Sequence, residues 1–316
     1  TFDPFYLQMS KELLSLGHTI FDGLSKLYNE VDDPNTKNFV IESVYYTYKI
    51  NLKLLEYEAL SKPLTSAGAD YTNQWANIMR ALKSVKMSHY DPYLLTFLEV
   101  KQGLATRPQC IKDGALVPLR TPAEFKLAFD YSRRPVRDLI KGNKYDTIIE
   151  LGSGFGRNMF YFMSVLDGLD SNVVMGEYTP GGLETAKYIK NRYFGDRKVQ
   201  IHHFDYNNPR LFFEQLKLSK KRSNVLVTTF WSIEQITNIS PVLMECILGA
   251  GTNVTCVHLE PVGTQVSDKS VMADDVQDFR SYYNKNLYGT LKSFEERGRL
   301  QITDVKLDYF NFCVAG

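Results

Sequence analysis

The chain has 316 residues, 44% hydrophobic and 13% aromatic, enough apolar side chain for a sizeable core over about two domains at roughly 150 residues each. Lysine and arginine number 37 against 36 aspartates and glutamates, and the resulting net charge of +1 gives no basic field for a phosphate backbone, which speaks against nucleic-acid binding. The four cysteines, Cys110, Cys246, Cys256 and Cys313, contain no CxxC pair, so neither a zinc framework nor a dense disulfide scaffold is expected.

That cysteine usage suits a reducing compartment, and no apolar run reaches the roughly 18 residues of a membrane span, so a cytoplasmic protein without membrane contacts is expected. The opening TFDPFYLQ lacks the basic and apolar regions of a secretory signal, and a start at Thr1 instead of Met suggests trimming.

From Phe5 to about Leu60 apolar residues recur at helical spacing, for example Leu13, Leu16, Ile20, Leu24 and Leu27. Asp32-Asp33-Pro34-Asn35 breaks that pattern, and the next helix carries Val40, Val44, Tyr48, Leu52 and Leu55. Its tyrosines Tyr45, Tyr46, Tyr48 and Tyr57 read as packing. Further helices are predicted over Tyr71 to Val85 and from Asp91-Pro92 to Gly103. Pro108, Gly114, Pro118 and Pro122 make the stretch from Thr106 to Pro122 read as a loop, and the domain junction is placed near residue 120. This divides a helical region, 1–120, from a second domain, 121–316.

After the junction the pattern changes. A helix from Pro122 to Lys141 is followed by β-rich runs at Thr147 to Leu151, Asn172 to Glu177, Val199 to Phe204, Asn224 to Phe230 and Val254 to Leu259, with helical stretches between them. This alternation is the signature of βαβ units and a parallel sheet covered on both faces. Arg133, Arg134 and Arg137 on the first of these helices read as a solvated face, with contact to an anionic ligand such as a carboxylate or phosphate as the alternative.

The run KYDTIIELGSGFG, residues 144–156, is a strand ending in Glu150 that enters a turn with Gly152, Gly154 and Gly156. A dinucleotide-binding fingerprint needs a third glycine at position 157, which is Arg157, so an NAD-dependent oxidoreductase is disfavoured. ELGSGFG resembles motif I of the class I S-adenosylmethionine (SAM) dependent methyltransferases. That resemblance implies an α/β, Rossmann-like fold with a mostly parallel seven-stranded sheet behind the N-terminal helical region. It further implies a SAM site where Gly152, Gly154 and Gly156 pack under the methionine part and Glu150 orients the loop or, through water, the amino group.

Glu177 ends the second strand about 20 residues beyond the glycines, where an acidic side chain can accept both ribose hydroxyls. Asp205 follows the third strand where the family often binds the adenine amine, with Asn207 and Asn208 as competitors. Glu234 follows the fourth strand, and His258 and Glu260 end the fifth, alternating so that both can share a face. A hydroxyl acceptor needs a group to take its proton, and these three are the catalytic candidates. His202 and His203 are adjacent on a strand and point to opposite faces, so at most one lines a pocket. No close-spaced pair of metal ligands is present, and no metal is expected.

ELGSGFG, GEYT, SIEQI and HLEP together resemble bacterial sugar O-methyltransferases over residues 145–265. The likeness implies methyl transfer to a hydroxyl of a small molecule or sugar. The alternatives are an amine of a protein or peptide, or a catalytically silent binding subunit. Helices ahead of such a fold form a lid or a homodimer contact, and Thr264 to Tyr283 reads as a mobile cover. The final LQITDVKLDYFNFCVAG is expected to supply the antiparallel pair that completes seven strands.

Overall fold

The computed structural model describes residues 75, 78–80, 82–83, 89–93, 107–112, 115–118, 122–166, 168–218, 223–266, 284–307 and 309–315. The expected helices before Trp75 and nearly all of the expected cover from Thr264 to Tyr283 lie outside these residues, as do Tyr45, Tyr46, Tyr48 and Tyr57.

The elements, in chain order, are β1 (Arg107–Lys112), β2 (Ala115–Pro118), α1 (Pro122–Gly142), β3 (Thr147–Leu151), α2 (Arg157–Val165), β4 (Asn172–Glu177), α3 (Pro180–Tyr193), β5 (Val199–His203) and α4 (Pro209–Gln215). There follow β6 (Asn224–Phe230), a 3₁₀ turn (Ile233–Gln235), α5 (Pro241–Leu248), β7 (Asn253–Leu259), α6 (Gly263–Val266), α7 (Leu287–Glu296) and β8 (Phe310–Ala315). Strands β3 to β7 form one parallel sheet in the order β5-β4-β3-β6-β7. Among the described residues no helix is long and apolar enough to cross a membrane.

The central strands are near-continuous apolar runs because helices cover both faces, and the period of two sorts their side chains. Ile148, Val173, Met175 and Leu226 face one cluster with Phe129, Met159, Phe160 and Ile189 from α1, α2 and α3. Ile149, Val174, Val225 and Val227 face the other, with Phe212, Leu243, Ile247, Leu287 and Phe294 from α4, α5 and α7. Each such side chain taken fully from water contributes about 1.5–3 kcal/mol, so the two-sided core fixes which residues end at the sheet's rim. Asp130 on α1 accepts hydrogen bonds from Tyr93 Oη (2.7 Å) and Tyr161 Oη (2.8 Å), tying the preceding segment to α1 and α2.

Two expectations are corrected. Among the described residues the parallel sheet has five strands, not seven. Residues 301–306 form no strand: the Ile302 N–H is taken by the Glu295 carboxylate at 2.7 Å, and Val305 stays largely exposed. The apolar run FNFCVA finds a partner elsewhere, and β8 pairs antiparallel with β1 in a separate three-stranded sheet, β2-β1-β8. The second correction concerns the stretch expected as a loop, in which Arg107–Lys112 and Ala115–Pro118 pair as antiparallel strands, with Lys112 opposite Ala115. The two residues between them are Asp113-Gly114, a dipeptide suited to a two-residue hairpin turn.

Candidate functional site

The chain runs β3, β4, β5 outward in one direction and returns with β6 on the other side of β3, so the strand order reverses between β3 and β6. Loops leaving the carboxyl ends of such a pair diverge and leave a crevice. Here the loops are Gly152–Gly156 and Trp231–Gln235, and between them lies a cavity of about 280 Å³. Its lining includes Trp75, the loop from Gly152 to Phe155, Arg157, Asn158, Phe230, Trp231 and Glu234.

The β3 loop is shaped by backbone. Gly152, Gly154 and Gly156 have φ of 71°, 56° and 84°, a left-handed region costly to other residues. At Gly152 a Cβ would fall 2.4 Å from the Ser232 Cβ, so the close approach of the two loops requires glycine. The N–H groups of Gly152 and Ser153 donate to the Gly176 carbonyl at 2.8 and 2.9 Å, which pins the loop to β4. Glu177 at the end of β4 is buried, and its carboxylate accepts from Gly154 N (2.8 Å), Thr179 N (2.8 Å) and Thr179 Oγ1 (2.6 Å). The acidic end of β4 thus buttresses the glycine loop, and Glu177 itself is not part of the cavity lining.

Glu150 lies wholly buried on the central strand, where Asn158 Nδ2 donates to Oε1 at 2.5 Å. Its Oε2 and the buried Ser153 Oγ have no hydrogen-bond partner among the described residues. Burial pushes the Glu150 carboxyl up to about 7, against the pull of Asn158, Arg157 and Arg133 and with a smaller push from Glu177. Arg133 departs from its sequence reading: its neighbour Arg134 is exposed, but Arg133 is fully buried. Its guanidinium stacks 3.6 Å from the centre of the Phe129 ring and donates to Asn158 Oδ1 (3.0 Å) and Ser132 Oγ (2.5 Å). Helix spacing put Arg133 beside other arginines but could not show that α1 turns this position toward the sheet.

The β6 side is built differently. Trp231 adopts φ 48°, a strained conformation for a bulky residue that costs of order 1–3 kcal/mol, and its N–H is held by the Leu259 carbonyl at 3.0 Å. Ser232 Oγ donates to the Leu151 carbonyl at 2.9 Å and lies 2.7 Å from Tyr206 Oη, which itself donates to Leu151 O at 3.0 Å. Glu260 receives the Ser232 N–H at 3.1 Å and the Glu234 N–H at 3.4 Å, clamping the turn. Burial pushes Glu260 up to about 7 even so. Glu234 lines the cavity, and burial followed by the nearby Glu260 charge pushes its carboxyl up to about 8.

Of the three catalytic candidates, Glu234 alone faces the cavity. Glu260 acts on the turn beneath it. His258 is held between Thr229 Oγ1 (3.0 Å at Nδ1) and Cys256 Sγ (3.2 Å at Nε2), and burial lowers it to about 4. Asp205 is half-buried past β5 and accepts from Asn207 N at 2.8 Å, outside the cavity lining. His202 lies 3.2 Å from Gln200 Oε1, the exposed His203 packs on Tyr178, and neither lines the cavity. Among the described residues no group of three or more His, Cys, Asp or Glu could hold a metal ion.

Sequence reasoning missed Trp75, Asn158 and Tyr206. Trp75 comes from far upstream to lie against Gly154 and meet Phe155 edge-on at 5.4 Å, a contact no local spacing reveals. Tyr206 stands next to the predicted Asp205, and only the loop crossing shows that it points inward.

No protein-family model matches the chain, and no curated protein does. Solved structures do resemble it. One is the N-terminal domain of EvdMO1 with SAH bound, at 14% identity and a TM-score of 0.30 over 42% of this chain and 51% of that one. Another is geranyl diphosphate C-methyltransferase from Streptomyces coelicolor A3(2) with S-adenosyl-L-homocysteine, at 12% identity and a TM-score of 0.40 over 73% and 81%. A third is coclaurine N-methyltransferase with N-methylheliamine and SAH, at 12% identity and a TM-score of 0.33 over 81% and 62%. The chain therefore spans about half of the first and less than two thirds of the third. Likenesses at this level assign neither an activity nor an acceptor.

Proposed function

We propose that this chain transfers a methyl group from SAM to a hydroxyl of a small molecule or sugar. The observation that carries the reading is the pairing of the left-handed glycine loop with the Glu177 carboxylate through Gly154 N–H, at the switch point of the parallel sheet and open to a cavity. A purely structural turn has no need of two unsatisfied buried oxygens, on Glu150 and Ser153, beneath a cavity floor, and a polar ligand or its waters would satisfy them.

In this reading Gly152, Gly154 and Gly156 let the backbone approach the methionine part, Glu177 receives the ribose hydroxyls, and Asp205 serves the adenine end. When bound, SAM supplies a methyl on a sulfonium, and transfer breaks the S–CH₃ bond, leaving its electron pair on sulfur, as the O–CH₃ bond forms. Glu234 takes the hydroxyl proton, because it is the ionisable carboxyl on the cavity wall and its raised affinity for a proton suits a base working near neutral pH. Glu260 keeps the turn in place through the amides of Ser232 and Glu234. His258, engaged on both ring nitrogens and held neutral, orients Thr229 and takes no proton from the acceptor. Trp75 and Trp231 wall the cavity and exclude water from an in-line displacement that depends on alignment.

Calorimetric titration with SAM, its product S-adenosylhomocysteine and NAD tests the reading, repeated on Glu177→Ala and Gly154→Val. The expected result is micromolar binding of SAM or its product, none of NAD, and loss in both variants. Folded wild-type protein that binds neither SAM nor its product would sink the proposal.

A further inference from the structure

Asn158 sits between two charged residues that fix which way round its amide lies. Arg133 can only donate, so the atom 3.0 Å from its Nε must be the Asn158 carbonyl oxygen. With the carbonyl oxygen turned to Arg133, the atom 2.5 Å from Glu150 Oε1 is the Asn158 amide nitrogen, which donates to it. All three residues are buried, Arg133 and Glu150 completely, so water does not compete for these bonds. An arginine and a glutamate bridged by one amide inside a core are costly to desolvate, and the cost falls where the chain needs a fixed dipole. An asparagine amide carries two N–H groups, and Glu150 takes one of them. Asn158 is also part of the cavity lining, beside Arg157 at the start of α2.

We propose that Asn158 is a specificity-determining residue that offers its second N–H to the carboxylate of the donor's amino-acid end, with Arg157 supplying positive charge on the same wall. The inference rests on the SAM reading above. Arg133 and Glu150 act through Asn158 as positioning residues: they prevent the amide from flipping and presenting its oxygen to an anion. An N–H to a carboxylate is a charge-assisted bond, stronger than a neutral one, and it discriminates between ligands with and without that group. The start of α2 adds to it, since the first N–H groups of a nine-residue helix have no partners within the helix.

The test compares S-adenosylhomocysteine with 5′-methylthioadenosine, which keeps the nucleoside and the sulfur but lacks the amino-acid end, by calorimetry on wild type and Asn158→Asp. The aspartate cannot donate and sets a negative charge on the cavity wall. Expected is at least a tenfold loss for S-adenosylhomocysteine with less than a twofold change for 5′-methylthioadenosine. Equal weakening of both ligands, or no change in either, would overturn the inference. Should Asn158→Asp fail to fold, Arg157→Ala decides by the same comparison, with about a threefold selective loss expected and no selective loss overturning it. Failure of wild type to bind S-adenosylhomocysteine removes the SAM reading itself, a result distinct from binding without discrimination.

Discussion

The two loops facing each other across the cavity solve opposite problems. The β3 side, Gly152 to Gly156 with Glu177, is held chiefly by backbone donors: the N–H groups of Gly152 and Ser153 bind the Gly176 carbonyl and that of Gly154 the Glu177 carboxylate. The β6 side, Trp231 to Gln235 with Glu260, is held by one carboxyl and a strained tryptophan, and it keeps a second carboxyl, Glu234, near enough to feel the first. A rigid backbone cradle suits a ligand that is the same in every turnover. A carboxyl with raised proton affinity suits a group that must change its charge once per turnover. Geometry is fixed on one wall, and ionisation is tuned on the other.

The sharpest way to break this contrast is at Gly152. Alanine there would meet Ser232 at 2.4 Å with φ at 71°, driving the walls apart, and a loss of roughly 3 kcal/mol in chemical denaturation is expected. Gly168→Ala is the control, since φ is similar at 73° but nothing lies within 4 Å, and it should cost about 1 kcal/mol. A loss at Gly152 no larger than at Gly168 would mean that the loops are not in close contact.

Next comes Glu234→Gln, which removes the proposed proton acceptor and leaves the β3 side untouched. Turnover should fall roughly 100-fold or more, while S-adenosylhomocysteine affinity holds within a factor of about two. A parallel loss of affinity would place Glu234 in donor binding instead. In wild type the base must be ionised, so activity should rise as pH climbs through about 8, the value to which burial and Glu260 raise Glu234.

The smallest effect belongs to Glu260→Gln. A neighbouring negative charge raises the proton affinity of Glu234, so removing it lowers that affinity, and the midpoint of the pH profile should move to lower pH. Turnover above the midpoint should change less than about tenfold, because the turn loses part of a clamp and no reacting group. An unmoved midpoint would show that the Glu260 charge does not tune Glu234, and loss of turnover together with disappearance of the midpoint would show Glu260 to be the base.

Much of the sheet was legible in the sequence because its strands are buried on both faces and read as short apolar runs bounded by turn residues. Runs starting at Thr147, Asn172 and Asn224 match β3, β4 and β6 end to end, and those at Val199 and Val254 differ from β5 and β7 by one residue. The glycine loop was legible for a local reason: its conformation needs residues without Cβ. What was not legible depends on meetings between distant segments. FNFCVA alternates well enough for any edge, and nothing local says that it pairs with RPQCIK instead of extending the parallel sheet. Arg133 shares its helix with solvated arginines, and its burial follows from how α1 docks. Glu234, His258 and Glu260 looked equivalent in sequence, yet turn geometry gives only Glu234 to the cavity.

The β1-β8 ladder joins Arg107 to Ala315 and Lys112 to Phe310, so the chain between these strands, with its whole five-stranded sheet, is a loop closed by a single strand pair. Closing a loop of about 200 residues costs chain entropy that a shorter hairpin does not, and contacts of such sequence separation form slowly. The hairpin of β1 and β2 needs only a two-residue turn and can form early. It then waits as an open edge until β8 arrives. During folding this edge of β1 can pair with a second copy until β8 covers it.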